Sequence, residues 1–346
     1  MSWLARTLEL APGPIVRMFA RPYVAGDTIE KGLAVAHRLL RDAGIVATLD
    51  LLAEDVKDAE QVRANRETYL ETVRAVAADG RFHGPRERPT VSAKLSSFTV
   101  QPCDRGGDAR GAREAMEELA VEARRLGVPL TIDMEDHAWT DLTLEIAIDL
   151  HRRGFDVGTV LQTRLHRTER DLESIPEGMR VRMVIGIYPE SASIALTEKR
   201  PMKERLIAQS ARLLDRGVYV EFATHDDAII RRFFAEVVGP RGLGGERYEL
   251  QMLFGVPRAE LLGAVLAGEL SPPERTPPLV RLYVPFATAW EQATAYCKRR
   301  LRSNPQMLTY VLVNLLQVLR GRNPGVSQYA GAVASRRLAD PAVRGG

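Results

Sequence analysis

Residues 111–163 read GAREAMEELAVEARRLGVPLTIDMEDHAWTDLTLEIAIDLHRRGFDVGTVLQT, and this stretch decides the fold. It contains two similar units. In each unit an amphipathic run with helical period stops at a glycine, Gly127 or Gly154, and a short run rich in β-branched residues follows. A glycine directly after a periodic run is the usual signal that a helix ends. Helix and strand patterns that alternate in this way are typical of parallel strands joined by helices.

The same alternation continues on both sides of this stretch and predicts eight strands. They are IVATLDLL from Ile45, TVSAKLS from Thr90, LTIDME from Leu130, TVLQT from Thr159, VRMVIGIY from Val181, YVEFATHD from Tyr219, YELQMLFG from Tyr248 and VRLYVPF from Val280. Eight strand-and-helix units in this length favour an α/β fold of the (β/α)8 TIM-barrel type. The alternative is an open doubly wound sheet, but no strand leads into the GxGxxG turn of a dinucleotide-binding domain.

The barrel is expected over residues 45–304, with a helical segment packed on it at each end of the chain. In the N-terminal segment, residues 1–44, GDTIEKGLAVAHRLLRDAG is an amphipathic helix for which Asp27 or Thr28 is the expected N-cap. The C-terminal segment, residues 305–346, holds the apolar helix MLTYVLVNLLQVLRG and a tail.

Composition excludes several classes of protein. The chain has 346 residues, of which 45% are hydrophobic and 27% charged, so it can bury a large core. The net charge of +3 comes from arginines interleaved with acids, which argues against nucleic acid as a partner. Cys103 and Cys297 are far apart, so neither a disulfide framework nor a metal site is expected.

The first residues, MSWLARTLELAPGPIVRMFARPYV, lack the apolar core of a signal peptide, and charges interrupt every hydrophobic run of the chain. We therefore expect a cytoplasmic protein. The mixture of apolar and basic residues in this segment leaves peripheral contact with a membrane open, beside the simpler reading of a helix packed on the barrel.

Polar residues are unusually frequent at the carboxyl ends of the predicted strands, where active sites of such barrels lie. They are Lys94, Asp133, Glu135, Gln162, Arg182, Tyr188, Thr224, His225, Asp226, Gln251 and Tyr283. Buried strands seldom carry so many ionisable groups unless the groups pair with one another or bind a ligand. Taken together, they predict a site for a polar ligand.

Arg299 and Arg300 are adjacent within AYCKRRLRSN. Neighbouring helical positions diverge by about 100°, so two such arginines would have to straddle a ligand that they share. A carboxylate would suit their fork geometry. The alternative is a solvated basic face shared with Lys298 and Arg302.

With these residues assembled, the chain resembles the FAD-dependent proline dehydrogenases, including the proline dehydrogenase domain of bifunctional proline utilisation proteins. The resemblance runs from about Tyr23 to Asn304. The motifs VSAKLS, TIDMED, VLQT, RMVIGIY, EFATHD, QMLFGV, RLYVPF and YCKRRL stand in the order and spacing of that family. Each motif is weak by itself, but eight in register are specific.

The resemblance implies FAD as cofactor, L-proline as substrate and a quinone or similar final electron acceptor. It also implies roles for residues at matching positions. Lys94, Arg299 and Arg300 would bind the substrate carboxylate, with Asp133 holding Lys94. The substrate ring would be enclosed by Tyr188, Leu253, Tyr283 and Tyr296. The cofactor would be bound by Gln162 and Arg182 at the flavin ring, by Gly186, and by Thr224 and His225 at the ribityl and pyrophosphate groups.

Four positions depart from the family pattern. Ile185 stands where the family has lysine, Ile187 where it has a small alanine, Ser303 where it has glutamate and Arg164 where it has tyrosine. The larger side chain of Ile187 would narrow the space beside the substrate ring. Two alternatives follow: the same chemistry on another cyclic secondary amine such as hydroxyproline or pipecolate, or a binding protein that has lost its flavin.

Overall fold

The eight predicted strands are all present, and they follow one another in sequence order in a closed, parallel barrel. The computed structural model describes residues 22–53, 56–289, 292–293, 296 and 326–339. The strands are β1 (Val46–Leu51), β2 (Thr90–Ala93), β3 (Leu130–Ile132), β4 (Val157–Gln162), β5 (Arg180–Val184), β6 (Tyr219–Ala223), β7 (Tyr248–Leu253) and β8 (Leu279–Phe286). The expected (β/α)8 fold class is therefore confirmed.

Within the described residues, eight helices of two turns or more accompany the strands. They are α1 (Ile29–Ala43), α2 (Ala59–Ala78), α3 (Ala109–Leu126), α4 (Thr140–Arg152), α5 (Lys199–Asp215), α6 (Asp227–Phe233), α7 (Ala259–Leu266) and α8 (Val326–Ala339). The predicted stop at Gly127 is correct, since that residue is the C-cap of α3. Thr28 is the N-cap of α1, because its hydroxyl accepts a hydrogen bond from the backbone N–H of Lys31.

One predicted strand ends earlier than expected. The run VRMVIGIY was predicted as one strand, but β5 stops at Val184, and Gly186 has a backbone φ of 96°. Helix α6 is α-helical as far as Phe233 and continues as a π-helical turn over Phe234–Val238. The predicted helix MLTYVLVNLLQVLRG lies outside the described residues.

The chain divides into two compact units. Unit 1 comprises Met1–Leu52, His225–Glu246 and Gln251–Gly346, and unit 2 comprises Ala53–Thr224 and Arg247–Leu250. The boundaries expected from the sequence, at residues 44 and 304, stay a prediction.

Unit 1 contains the parallel pair β1 and β8, with Val46 opposite Arg281 and Leu51 opposite Phe286. Helix α8 packs on α1 and α7. From α8 the fully buried hydroxyl of Tyr329 accepts a hydrogen bond from the N–H of Gly255 at 3.2 Å and donates one to the carbonyl of Val256 at 3.1 Å. Burial raises the pKa of this phenol above its ordinary value.

Unit 2 contains the parallel strands β2 to β6, most of whose residues are buried. The register sets Val160 opposite Arg182, and Arg182 opposite Glu221. Charged residues thus face one another across neighbouring strands inside the unit. Among the helices of the described residues, none is both long enough and apolar enough to cross a membrane.

Candidate active site

A chain of buried charges crosses unit 2. The carboxylate of Asp133 lies 2.5 Å from Nη1 of Arg182 and 3.7 Å from Nζ of Lys94. Nε of Arg182 lies 3.7 Å from the carboxylate of Glu221, which also pairs with Arg180 at 2.9 Å. The side chains of Lys94, Asp133, Arg182 and Glu221 are each 8% exposed or less. Buried ions are tolerated only when they are paired and hydrogen-bonded, so the members of this chain depend on one another.

The strand pattern explains why these charges meet. Arg180 and Arg182 are two residues apart on β5, and side chains at that spacing point to the same face of a sheet. Glu221 is opposite Arg182 on β6. Burial opposes ionisation of Arg180, but the carboxylates of Asp156 and Glu221 outweigh it, and the pKa of Arg180 is raised.

At one end of this chain, the carboxylate of Asp133 pairs with both Lys94 and Arg182. Arg182 also lies near Glu221, so acidic and basic groups alternate along the chain. Lys94 ends the chain directly after β2, where its ammonium group is suited to bind an anionic ligand group. The predicted pairing of Asp133 with Lys94 is present at 3.7 Å, whereas the contact of Asp133 with Arg182 was not predicted.

The expected positions at strand ends are correct for most residues of unit 2. Lys94 directly follows β2, Asp133 follows β3, Gln162 is the last residue of β4, and Thr224 follows β6. Tyr188 is an exception: it lies four residues beyond the end of β5 and not on the strand. The reason is Gly186, whose positive φ departs from extended geometry and turns the chain away.

Gln162, Gly186 and Arg164 form a tight group beside the ends of β4 and β5. Nε2 of Gln162 donates to the carbonyl of Glu135 at 2.6 Å. A Cβ on Gly186 would lie 2.4 Å from Oε1 of Gln162 and 2.9 Å from Cδ of Arg164. Arg164 in turn donates from Nη1 to the carbonyl of Tyr188. A side chain at position 186 would therefore collide with the group, and glycine is required.

The other predicted site residues that are described belong to unit 1. Leu253 is the last residue of β7, and Tyr283 lies on β8, where its carbonyl accepts from the N–H of Phe254 at 2.9 Å. Both side chains are partly exposed. The carbonyl of His225 accepts from Nε of Arg258 at 3.0 Å.

Tyr296 is buried in an apolar cluster of unit 1. Its neighbours in the cluster are Val24, Leu52, Ala287 and Ala293. Arg299, Arg300 and Ser303 lie outside the described residues. Their predicted part in carboxylate binding therefore stays a prediction.

Arg180 and Glu221 belong to the charged chain but were not among the predicted site residues. The signal was present, because RVRMV and YVEFA each place charges inside an otherwise apolar strand. Nothing in the sequence gives the register that brings Arg182 and Glu221 together. Among the described residues, no group of three or more histidine, cysteine, aspartate or glutamate side chains is arranged to hold a metal ion.

Comparison with known proteins identifies relatives of this chain. The profile of the family described as "Proline dehydrogenase" matches residues 34–190. The chain is 33% identical over 327 residues to a proline dehydrogenase of Deinococcus radiodurans, covering 90% of this chain and 96% of that one. It is 29% identical over 316 residues to proline dehydrogenase 1 of Bacillus subtilis strain 168, covering 87% and 92%.

Solved structures support the fold. Proline utilization A from Bdellovibrio bacteriovorus, inactivated by N-propargylglycine, superposes with a TM-score of 0.70 at 20% identity over 82% of this chain. The match covers 32% of that longer protein, so the chain spans about a third of its length. A Bradyrhizobium japonicum proline utilization A gives a TM-score of 0.64 at 21% identity. On the strength of its likeness to the Deinococcus enzyme over nearly the full length of both chains, this chain belongs to the proline dehydrogenase family.

Proposed function

We propose that the protein oxidises L-proline to 1-pyrroline-5-carboxylate with FAD as the first electron acceptor. The observation that carries the proposal is the buried group Lys94, Asp133 and Arg182, which places an ammonium group at the strand ends of the barrel, held by a carboxylate. The relatives named above are proline dehydrogenases, and proline offers the small carboxylate that such a group would attract. The net reaction removes a hydride from the ring carbon beside the nitrogen and a proton from the nitrogen.

The residues at the ends of β4 and β5 fit a flavin ring. Gly186 lets its backbone lie directly against the amide of Gln162, where a Cβ would come within 2.4 Å of Oε1, so backbone and amide can both be presented to a planar ring. Oε1 of Gln162 can accept from a ring N–H, and Arg182 supplies a buried positive charge that favours a reduced, anionic ring. When bound, FAD supplies the hydride acceptor. Thr224 and His225 would meet its ribityl and pyrophosphate part.

The protein's own task is to orient the substrate and place charge around it. Lys94, fixed by Asp133, would bind the substrate carboxylate together with Arg299 and Arg300. The substrate ring would be enclosed by Tyr188, Leu253, Tyr283 and Tyr296. These groups hold one C–H bond in a reactive direction, and no side chain needs to form a covalent bond to the substrate.

A second candidate is the same chemistry on another cyclic secondary amine, such as hydroxyproline or pipecolate. The observation behind it is Ile187, a large apolar side chain that is 39% exposed beside Gly186 and Tyr188. Its bulk narrows the space beside the substrate ring, so a ring of another shape could fit better than proline. We rank proline first because the relatives named above are proline dehydrogenases.

We further propose that electrons pass from the flavin to a quinone or similar acceptor and that the protein works in the cytoplasm, with peripheral contact to the membrane where a quinone resides. The N-terminal segment that motivates the contact lies outside the described residues. Sedimentation with anionic phospholipid vesicles tests it. Binding that vanishes when residues 1–21 are removed supports the contact, and absence of binding by the full chain contradicts it.

Product analysis tests the reaction itself. Purified protein supplied with FAD, an artificial dye acceptor and L-proline is expected to form 1-pyrroline-5-carboxylate, trapped as its coloured o-aminobenzaldehyde adduct. Parallel reactions with hydroxyproline and pipecolate separate the two candidate substrates. Protein that takes up no FAD would favour the flavin-free binding protein, and flavin-loaded protein that oxidises none of the three amines would reject both enzymatic proposals.

A further inference from the structure

The stretch that follows β5 is long and irregular. Residues 185–198 contain no helix, and their one bridge joins Ala195 to Leu165. Irregular stretches of this length inside a compact domain are usually functional. This one carries Gly186, Ile187 and Tyr188, which the proposed function places beside flavin and substrate. Whatever fixes its conformation therefore also fixes part of the site.

One side of the stretch is anchored to the residues after β4. The N–H of Arg164 donates to the carbonyl of Ile185 at 3.1 Å, and its Nη1 donates to the carbonyl of Tyr188. Further along, the N–H of Leu196 donates to the carbonyl of Arg164 at 2.8 Å. These bonds all reach the same neighbouring segment.

Glu190 reaches in another direction, to the residues after β3. Its Oε1 accepts from the backbone N–H of His137 at 2.9 Å, and its Oε2 lies 2.8 Å from Nδ1 of the same residue. The side chain of Glu190 is only 5% exposed although it belongs to a loop, whereas that of His137 is 48% exposed. Burying a carboxylate costs free energy unless its oxygens are hydrogen-bonded. Here His137 contacts both carboxylate oxygens of Glu190.

The position of His137 at the start of a helical segment favours the carboxylate of Glu190. His137 opens the 3-10 turn His137–Trp139 that leads into α4, and negative charge is favoured at the start of a helix. Asp136 already accepts from the N–H of Ala138 at 3.1 Å in the same turn. Glu190 thus adds a second anion to the start of this helix from outside its own segment.

The contacts link the loops after β3 and β5 with the end of β4. Gln162, the last residue of β4, donates to the carbonyl of Glu135 after β3, two residues before His137. His137 bonds Glu190 after β5, and Gly186 at the beginning of that segment lies against Gln162. Each of these three segments is thereby held by the other two. Glu190 supplies the link between the loops after β3 and β5.

We propose that Glu190 is a positioning residue for the reaction. Through His137 it fixes the segment that carries Tyr188 and Ile187, and so it holds the wall of the substrate site without touching the substrate. The inference rests on the proposed function for its kinetic consequence. Its structural part, the link between the two loops, does not depend on that function.

Two measurements on Glu190→Ala test the inference. In the flavin-loaded enzyme, kcat/KM for proline is expected to fall by about tenfold to a hundredfold, mainly through KM, because a displacement of about 1 Å in a site costs that much. In hydrogen exchange of the protein without substrate, the amide of His137 is expected to lose protection, while the amides of β5 keep theirs. Glu190→Gln, which keeps an oxygen to accept from that amide, should recover most of both properties.

The control is Glu145→Ala on α4, which breaks the 2.6 Å ion pair with Arg113 on the exposed surface of the same unit and should change neither measurement. Unchanged exchange at His137 in Glu190→Ala would overturn the proposed link. Faster exchange with kcat/KM within about twofold of the wild type would overturn the positioning role. If the wild type fails to oxidise proline, the proposed function fails, and the exchange measurement still decides whether the link exists.

Discussion

Replacing Gly186 with alanine is expected to damage both the stability and the cofactor site of this protein. At a φ of 96° an L-residue is strained, at about 1–2 kcal/mol. The added Cβ would also lie 2.4 Å from Oε1 of Gln162, a distance that forces the amide to move. Losing the bond from Gln162 to the carbonyl of Glu135 removes about 0.5–1.5 kcal/mol more. The total expected loss of unfolding free energy is about 1.5–3.5 kcal/mol.

Gly178→Ala is the matched control at the other end of β5. Gly178 has a comparable φ of 77°, but a Cβ there meets nothing within 4 Å. The free energy of unfolding of Gly178→Ala should therefore fall only by the strain energy, about 1–2 kcal/mol. The difference between the two variants, about 1 kcal/mol, therefore isolates the collision with Gln162.

Urea unfolding of both variants measures the free energies, and fluorescence titration with FAD measures cofactor affinity. We expect Gly186→Ala to bind FAD about tenfold more weakly than wild type, since about 1.4 kcal/mol corresponds to a factor of ten. Gly178→Ala should bind it normally. Equal stability losses in the two variants together with equal FAD affinity would refute the reasoning that Gly186 keeps the amide of Gln162 in position for the cofactor.

Three further substitutions test other parts of the structure. Asp133→Asn removes the negative charge that pairs with Lys94 and Arg182, so urea unfolding should show that the free energy of unfolding falls by about 3–5 kcal/mol. A fall below about 1 kcal/mol would contradict the dependence of the buried cations on this carboxylate. Ile187→Ala should raise kcat/KM for proline in the dye-linked assay. Because the side chain is 39% exposed, the free energy of unfolding should change by about 1 kcal/mol or less. Unchanged kinetics would show that Ile187 does not obstruct the substrate. Tyr329→Phe leaves the N–H of Gly255 without its acceptor, and the same unfolding assay should show about 1–2 kcal/mol lost; no loss would mean that this bond contributes little.

The strands could be predicted from the sequence because each is a short run of β-branched and apolar residues between helical runs that end on glycine. Lys94, Asp133 and Gln162 could be predicted for the same reason, since the carboxyl ends of parallel strands gather polar residues in barrels of this type. These predictions depend only on local pattern, which the sequence contains.

Other features depend on register and backbone geometry, which the sequence does not contain. Glu221 meets Arg182 only because of how β5 and β6 align. The early end of β5 follows from the φ of Gly186, and this end displaces Tyr188 from the strand. Glu190 and His137 are 53 residues apart and belong to different loops, so no periodicity could have paired them.

The most direct test of the central claim is the colour of the flavin. Protein loaded with FAD and mixed with L-proline in the absence of oxygen should lose its absorbance near 450 nm as the flavin is reduced, and an added quinone should restore that absorbance. A flavin that stays oxidised with proline, hydroxyproline and pipecolate alike, in protein that binds FAD stoichiometrically, would contradict the assignment of Lys94, Asp133 and Arg182 to an amine-oxidising site.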